Sequence, residues 1–142
     1  MADDESKFIS FLKSLEVDDW TKKITDKWTV KDVVAHMVGW KKNDPETILL
    51  TWRMKDLPWF YKVQDYGEFN RQSVEYYKDY SPDELIAEWL VLRKIVKKII
   101  LDLGEHQLRS RPDLFRWLFN KNEKESHYSH HLEQIKKVLN KS

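Results

Sequence analysis

The chain has 142 residues, one domain's worth, with 41% hydrophobic and 35% charged residues and an aromatic stock of seven Trp, six Tyr and six Phe, a balance that excludes disorder. Its 25 Lys and Arg stand against 24 Asp and Glu, so no excess of positive charge is available to hold nucleic acid or an anionic membrane surface. There is no cysteine, which rules out disulfides, thiolate metal sites and a cysteine nucleophile; a metal would have to be held by His, Asp or Glu.

The opening residues, Met1 to Ser6, are acidic and lack the apolar run of a signal peptide. No stretch approaches the ~18 apolar residues of a membrane span, and the expected location is the cytoplasm. Three Gly and four Pro leave few breaks, which favours helices. A first helix is expected from Asp4 to Leu15, with Phe8, Ile9, Phe11, Leu12 and Leu15 as its apolar side. Glu16 to Lys27 reads as a polar connector with one short helical turn, anchored by Trp20 and Ile24.

Thr29 is placed to cap the second helix, with Asp32 three residues on in an acidic variant of the capping box. Val30, Val33, Val34, Met37 and Val38 form its apolar stripe. Asn43-Asp44-Pro45-Glu46 marks a break or kink, because Pro suits the first turn of a helix and not its interior. Thr47 to Met54 continues as a second segment, and the aromatic-rich connector Lys55 to Gly67 covers one end of the domain, either as a pocket wall or as a plain lid on the core. A short helix follows from Glu68 to Tyr77.

Ser81-Pro82-Asp83-Glu84 combines a Ser cap, Pro at the first position and a Glu that closes a capping box. Leu85, Trp89, Leu92, Val96, Ile99 and Leu103 then follow the spacing of a seam between helices packed at a shallow angle. Arg93, Lys94, Lys97 and Lys98 read as its solvated side, and Gly104 as its end. Arg111 to Phe119 reads as an aromatic-rich turn or short helix, and a last helix is expected from about Lys121 to Asn140. The sum is an all-α chain with one domain over 1–142: four main helices around one core, a four-helix bundle. The long connections near residues 55 to 80 and 104 to 120 point away from simple up-down-up-down order.

The last helix carries the chemistry. At about 100° per residue, Tyr128, Leu132, Val138 and Leu139 fall within roughly 60° of Ile135 and form one apolar stripe. His131 lies inside that arc, His127 just beyond its edge, and His130 well round toward the polar side. Residues four apart stack on one face, so His127 and His131 present two imidazoles side by side, as a two-His metal clamp needs. The same pattern also describes a helix flank whose histidines bond only to backbone or water. His36 is the candidate third ligand, at the margin of the second helix's stripe. Asp32, one turn before His36, is placed either to orient it or simply to cap the helix.

Trp28-Thr29-Val30-Lys31-Asp32-Val33-Val34-Ala35-His36-Met37-Val38-Gly39-Trp40 closely resembles the W-[ST]-[VI]-[KR]-D-[VL]-[LV]-A-H-[LM]-x-x-W segment of the DinB-like superfamily of small four-helix bundles. Glu68-Phe69-Asn70 and Ser81-Pro82-Asp83-Glu84-Leu85 resemble its middle, and His127-Tyr128-Ser129-His130-His131-Leu132-Glu133-Gln134-Ile135 its H-Y-x-x-H-L-x-x-I ending. The resemblance implies up-down-down-up connectivity and a divalent metal held by three His near one end, which map onto His36, His127 and His131. A branch related to the colibactin self-resistance protein shares the Ser-His-Tyr triplet but often lacks a His at the position of His131, and whether it uses metal at all is open. Possession of His131 tips this chain toward the metal-binding side.

Three neutral imidazoles leave a divalent ion open positions, and such an ion is a Lewis acid. By resemblance, the leading expectation is a metal-dependent enzyme carrying out thiol transfer or hydrolysis on a small electrophilic molecule. Its cofactors would be a divalent metal, Zn or Ni ahead of Cu or Fe, and a low-molecular-weight thiol. The alternative is a non-enzymatic stress, sequestration or self-resistance protein that binds a small molecule. The partner in either case is a small molecule, with no nucleic acid and no membrane, and a homodimer is compatible with both. No general base stands out. Glu123, one turn before His127, is the one acidic residue along the last helix placed to add a fourth ligand.

Overall fold

The computed structural model describes residues 4–42, 65–110 and 121–141, the side chains of residues 4 and 121–127 excepted. Among these the chain is all-helical: six α-helices, one 3₁₀ turn and no strand, with only an isolated bridge between Lys23 and Thr29. The expected break at 43–46, the segment 47–54, most of the aromatic connector and the turn at 111–119 lie outside the described residues.

Helix α1 (Asp4–Lys13) buries Phe8, Ile9 and Leu12, as its apolar spacing requires. It stops two residues short of Leu15. Ser14 and Leu15 donate their backbone N–H groups to Phe11 and Leu12, three residues back, at 3.0 and 3.2 Å, which tightens the last turn and ends the α-helical ladder. The short turn expected in the connector is the 3₁₀ segment Val17–Thr21, pinned by a bond from the Glu16 N–H to the Asp19 carboxylate (2.9 Å) and by buried Trp20.

Helix α2 (Val30–Lys42) begins at the expected cap: Thr29 Oγ1 accepts from the Asp32 N–H (3.2 Å) and the Asp32 carboxylate accepts from the Thr29 N–H (3.0 Å). The stripe read from sequence is buried, and so is everything between its members. Every residue from Val33 to Gly39 is buried, so α2 is enclosed on all sides. Glycine makes one side of that enclosure: a Cβ at Gly39 would lie 2.2 Å from Ser73 Oγ and 2.4 Å from Ser73 Cβ. The next helix packs against α2 at that point.

That neighbour, α3 (Tyr66–Tyr76), starts two residues before the expected Glu68. Asp65 is the cap, accepting from the Glu68 N–H at 3.0 Å. Helix α4 (Pro82–Leu103) has the capping box read from sequence, closed by bonds of 3.1 and 3.2 Å between Ser81 and Glu84. Its seam is fully enclosed only over the first half: Leu85, Trp89 and Leu92 are buried, whereas Val96, Ile99 and Leu103 are half-buried. Gly104, at φ 80°, ends it. A short helix not anticipated from sequence, α5 (Glu105–Arg109), follows directly and plugs Leu108 into the interior.

Helix α6 (Lys121–Leu139) buries Ile135 and lays Tyr128, Leu132 and Leu139 partly against the core. Val138 departs from expectation at 40% exposure. It stands at the margin of the arc centred on Ile135, and near the end of the helix the core covers only the middle of that arc. Among the described residues no helix is long and apolar enough to cross a membrane.

Candidate functional site

His36 is set by α2 and His131 by α6, and their rings meet with centroids 5.2 Å apart in an edge-to-face arrangement. The wheel placed His36 at a boundary; in the structure it is 5% exposed, because α2 is covered on all sides and has no polar margin. Trp28, just before the helix, also lies against its ring, with centroids 4.9 Å apart. A tetrahedral ion with Zn–N bonds of about 2.0–2.1 Å needs two nitrogens roughly 3.3 Å apart, which rings this close can offer.

His131 is half-buried, and its Nδ1 lies 3.3 Å from Gln134 Oε1, one turn on. With the amide oxygen facing the ring, Nδ1 carries the proton and Nε2 keeps its lone pair for a ligand. Burial pushes the His131 pKa below its ordinary value; the Gln134 bond works against this and neighbouring His130 adds to it. The ring is therefore held in the neutral form that metal coordination requires. His130 is exposed, with its ring 5.4 Å from that of His131, and sits at the rim as the wheel indicated. His127 belongs to α6 one turn before His131, and its side chain lies outside the described residues, as does that of Glu123. Among the described residues no third His, Asp or Glu joins the pair into a metal-binding group. Asp32 is engaged in capping by both of its bonds to Thr29, the simpler of the two roles it could have had.

Next to the histidines lies a group that sequence reading missed. The Glu5 carboxylate of α1 takes an ion pair from Lys41 of α2 (2.6 Å), another from Arg93 of α4 (3.0 Å), and the hydroxyl hydrogen bond of Tyr128 of α6 (2.5 Å). Arg93 also donates to Ser6 Oγ at 2.9 Å. Burial is the largest single influence on Glu5 and favours its neutral form, but the Lys41 charge and hydrogen bond, the Tyr128 bond and the Arg93 charge together hold its pKa below the ordinary value. Buried Trp89 forms the floor, with Phe8 at 5.6 Å, Tyr128 at 6.1 Å and the Lys41 ammonium 5.8 Å from its ring. This corrects the solvated role expected of Arg93. It stands one turn after Trp89, and its long side chain reaches inward to a carboxylate instead of out to water.

A third cluster, on the side of α2 that faces α3, gathers Trp40, Tyr66 and Phe69, with the Trp40 indole N–H donating to Asn70 Oδ1 at 2.6 Å. It gives Phe69 and Asn70 a shared role as the clasp on the end of α2. Comparison of the chain with family models, with curated proteins and with solved structures finds no match.

Proposed function

We propose that the chain is a metal-binding member of the DinB-like superfamily, in which His36, His131 and His127 hold one divalent ion, Zn or Ni. The observation that carries this reading is the meeting of His36 and His131 at 5.2 Å, two residues singled out by separate motifs on distant helices. The helix directions support the same family's up-down-down-up bundle. Glu5 and Phe8 along α1 meet Arg93 and then Trp89 backwards along α4. Glu5 and Phe11 meet Tyr128 and then Lys136 forwards along α6. Lys41 contacts Tyr128 while His36 contacts His131, so α2 runs opposite to α6.

A divalent ion with open positions supplies Lewis acidity toward a thiol or water, and on that basis the proposed activity is thiol transfer or hydrolysis on a small electrophilic molecule. The protein's own part is to keep His131 neutral by burial, to set its tautomer through Gln134, and to back His36 with Trp28. The test is elemental analysis and metal titration of untagged protein. Stoichiometric Zn or Ni, lost in His36→Ala, His127→Ala and His131→Ala and retained in His130→Ala, is the expected result. Failure of the wild type to retain either metal would overturn the reading and favour a non-enzymatic small-molecule binder of the same fold. Small thiols or azide should perturb the spectrum of a Ni- or Co-substituted sample, and Glu123→Gln should leave metal affinity nearly intact. No response to either, with metal affinity lost in Glu123→Gln, would mark the ion as structural.

A further inference from the structure

The outer face of α4 is built unlike an ordinary solvated face. Taking Val91 as its centre at about 100° per residue, Glu84, Ala87, Glu88, Lys94, Ile95, Lys98 and Asp102 all lie within roughly 60° of it. Val91 and Ile95 are 52% and 42% exposed, and Leu101, toward the edge of the same face, is 80% exposed. Ala87, one turn before Val91, is exposed as well, a small residue that lets another backbone come close. The β-branched pair straddles the middle of a helix that runs from Pro82 to Leu103.

Charge is segregated along the same face. Within that arc the first half of α4 carries Glu84 and Glu88 and no base, whereas the second half carries Lys94 and Lys98, with Asp102 alone opposing them. Arg93 is turned inward to Glu5. A face that is acidic at one end, apolar in the middle and basic at the other is complementary to itself when reversed. In a two-fold dimer each contact occurs twice, and an antiparallel pair of such helices sets acid against base at both ends. A parallel pair would set like against like.

We infer that α4 is a homodimer interface, in which two copies pack antiparallel about a two-fold axis beside Val91, with Glu84 and Glu88 of each copy facing Lys98 and Lys94 of the other and Ile95 meeting Ala87. The occupant is a second copy because the charges reverse about Val91, with Glu84 and Lys98 seven residues and Glu88 and Lys94 three residues to either side, so the face is complementary to a reversed copy of itself. The interface leaves α2 and α6 untouched, so it stands or falls independently of the metal reading.

Sedimentation velocity over a range of concentrations tests it. The wild type should pass from monomer to dimer as concentration rises, and Val91→Lys should remain monomeric. Val17→Lys, a control at a residue 81% exposed in the 3₁₀ turn, should dimerise like the wild type. Glu84→Lys/Glu88→Lys alone and Lys94→Glu/Lys98→Glu alone should each be monomeric, and an equimolar mixture, in which every facing pair is again of opposite sign, should recover the dimer as a heterodimer. A wild type that is monomeric at every concentration, a dimer indifferent to Val91→Lys, or a mixture that stays monomeric would each overturn the inference.

Discussion

Two junctions tie α2 to α6, about one helical turn apart, and they are made of opposite materials. At one, Lys41 and Tyr128 meet over the Glu5 carboxylate, and every charge has a partner of opposite sign within 3.0 Å. At the other, His36 and His131 meet ring to ring, backed by Trp28, with burial opposing charge on His131. The ionic junction gathers α1, α2, α4 and α6 and locks their mutual register. That leaves the imidazole junction free of a structural duty that apolar residues could not perform as well. Two imidazoles, that of His131 held toward its neutral form by burial, inside a bundle that is already fixed elsewhere make sense as a binding element.

The comparison breaks first at Trp89, the floor of the ionic junction. Trp89→Ala should cost about 3–5 kcal/mol in denaturant unfolding, the range for truncating a buried aromatic residue, since the side chain is fully buried. Trp89→Phe should cost much less, because the indole N–H is buried with no hydrogen-bond partner among the described residues and loses nothing when removed. Equal losses in the two variants would show that the N–H, and not the ring volume, matters.

Glu5→Gln comes next. It leaves Lys41 and Arg93, each about one-fifth exposed, without their carboxylate, and should cost about 2–3 kcal/mol, the scale of a charged hydrogen-bond partner lost in a mostly buried setting. The pH dependence has a definite sign. The folded-state pKa of Glu5 lies below its ordinary value of 4.5, so the native state binds this proton less readily than the unfolded state. Its contribution is complete above about pH 4.5 and is lost as pH falls through the folded value. The acid limb of a stability–pH curve should therefore be shallower in Glu5→Gln than in the wild type.

How each junction could be seen in the sequence follows from the range of the interaction. Helix caps at Thr29 and Ser81 were legible because cap and partner stand three residues apart, and the stripes of α1 and α2 because a helix imposes its own period. His127 and His131 were a visible pair for the same reason, and His36 came from the likeness of its segment to a known one. Its burial was not legible: a wheel describes a helix with one covered face, and α2 is covered all round. Glu5 with Arg93 was invisible because nothing local distinguishes an arginine that turns inward from its neighbours Lys94 and Lys97 that do not. Only the arrival of α1 against α4 decides it. The start of α3 was missed more simply, since Asp65 caps it and the reading gave the aromatic connector that residue.

The smallest effect tests the neutral junction at its source. Because burial is the main cause of the lowered His131 pKa, the folded state resists protonation there and the unfolded chain does not. Stability should be unaffected by this group above about pH 6.5, the ordinary His value, and should decline as pH falls from there toward the folded value, with a slope no steeper than about 1.4 kcal/mol per pH unit for one proton. His131→Gln should remove that slope while leaving the Glu5 limb at lower pH in place. Gln134 acts in the opposite direction to burial, since its oxygen accepts a hydrogen bond that favours a protonated ring. Gln134→Leu should therefore move the His131 midpoint further down in an NMR titration of the apo protein, and should weaken metal binding by freeing the ring to rotate and change tautomer. A midpoint that rises in Gln134→Leu would mean that the amide nitrogen, not its oxygen, faces Nδ1. The tautomer would then be reversed, and Nδ1, not Nε2, would carry the lone pair that Gln134 engages.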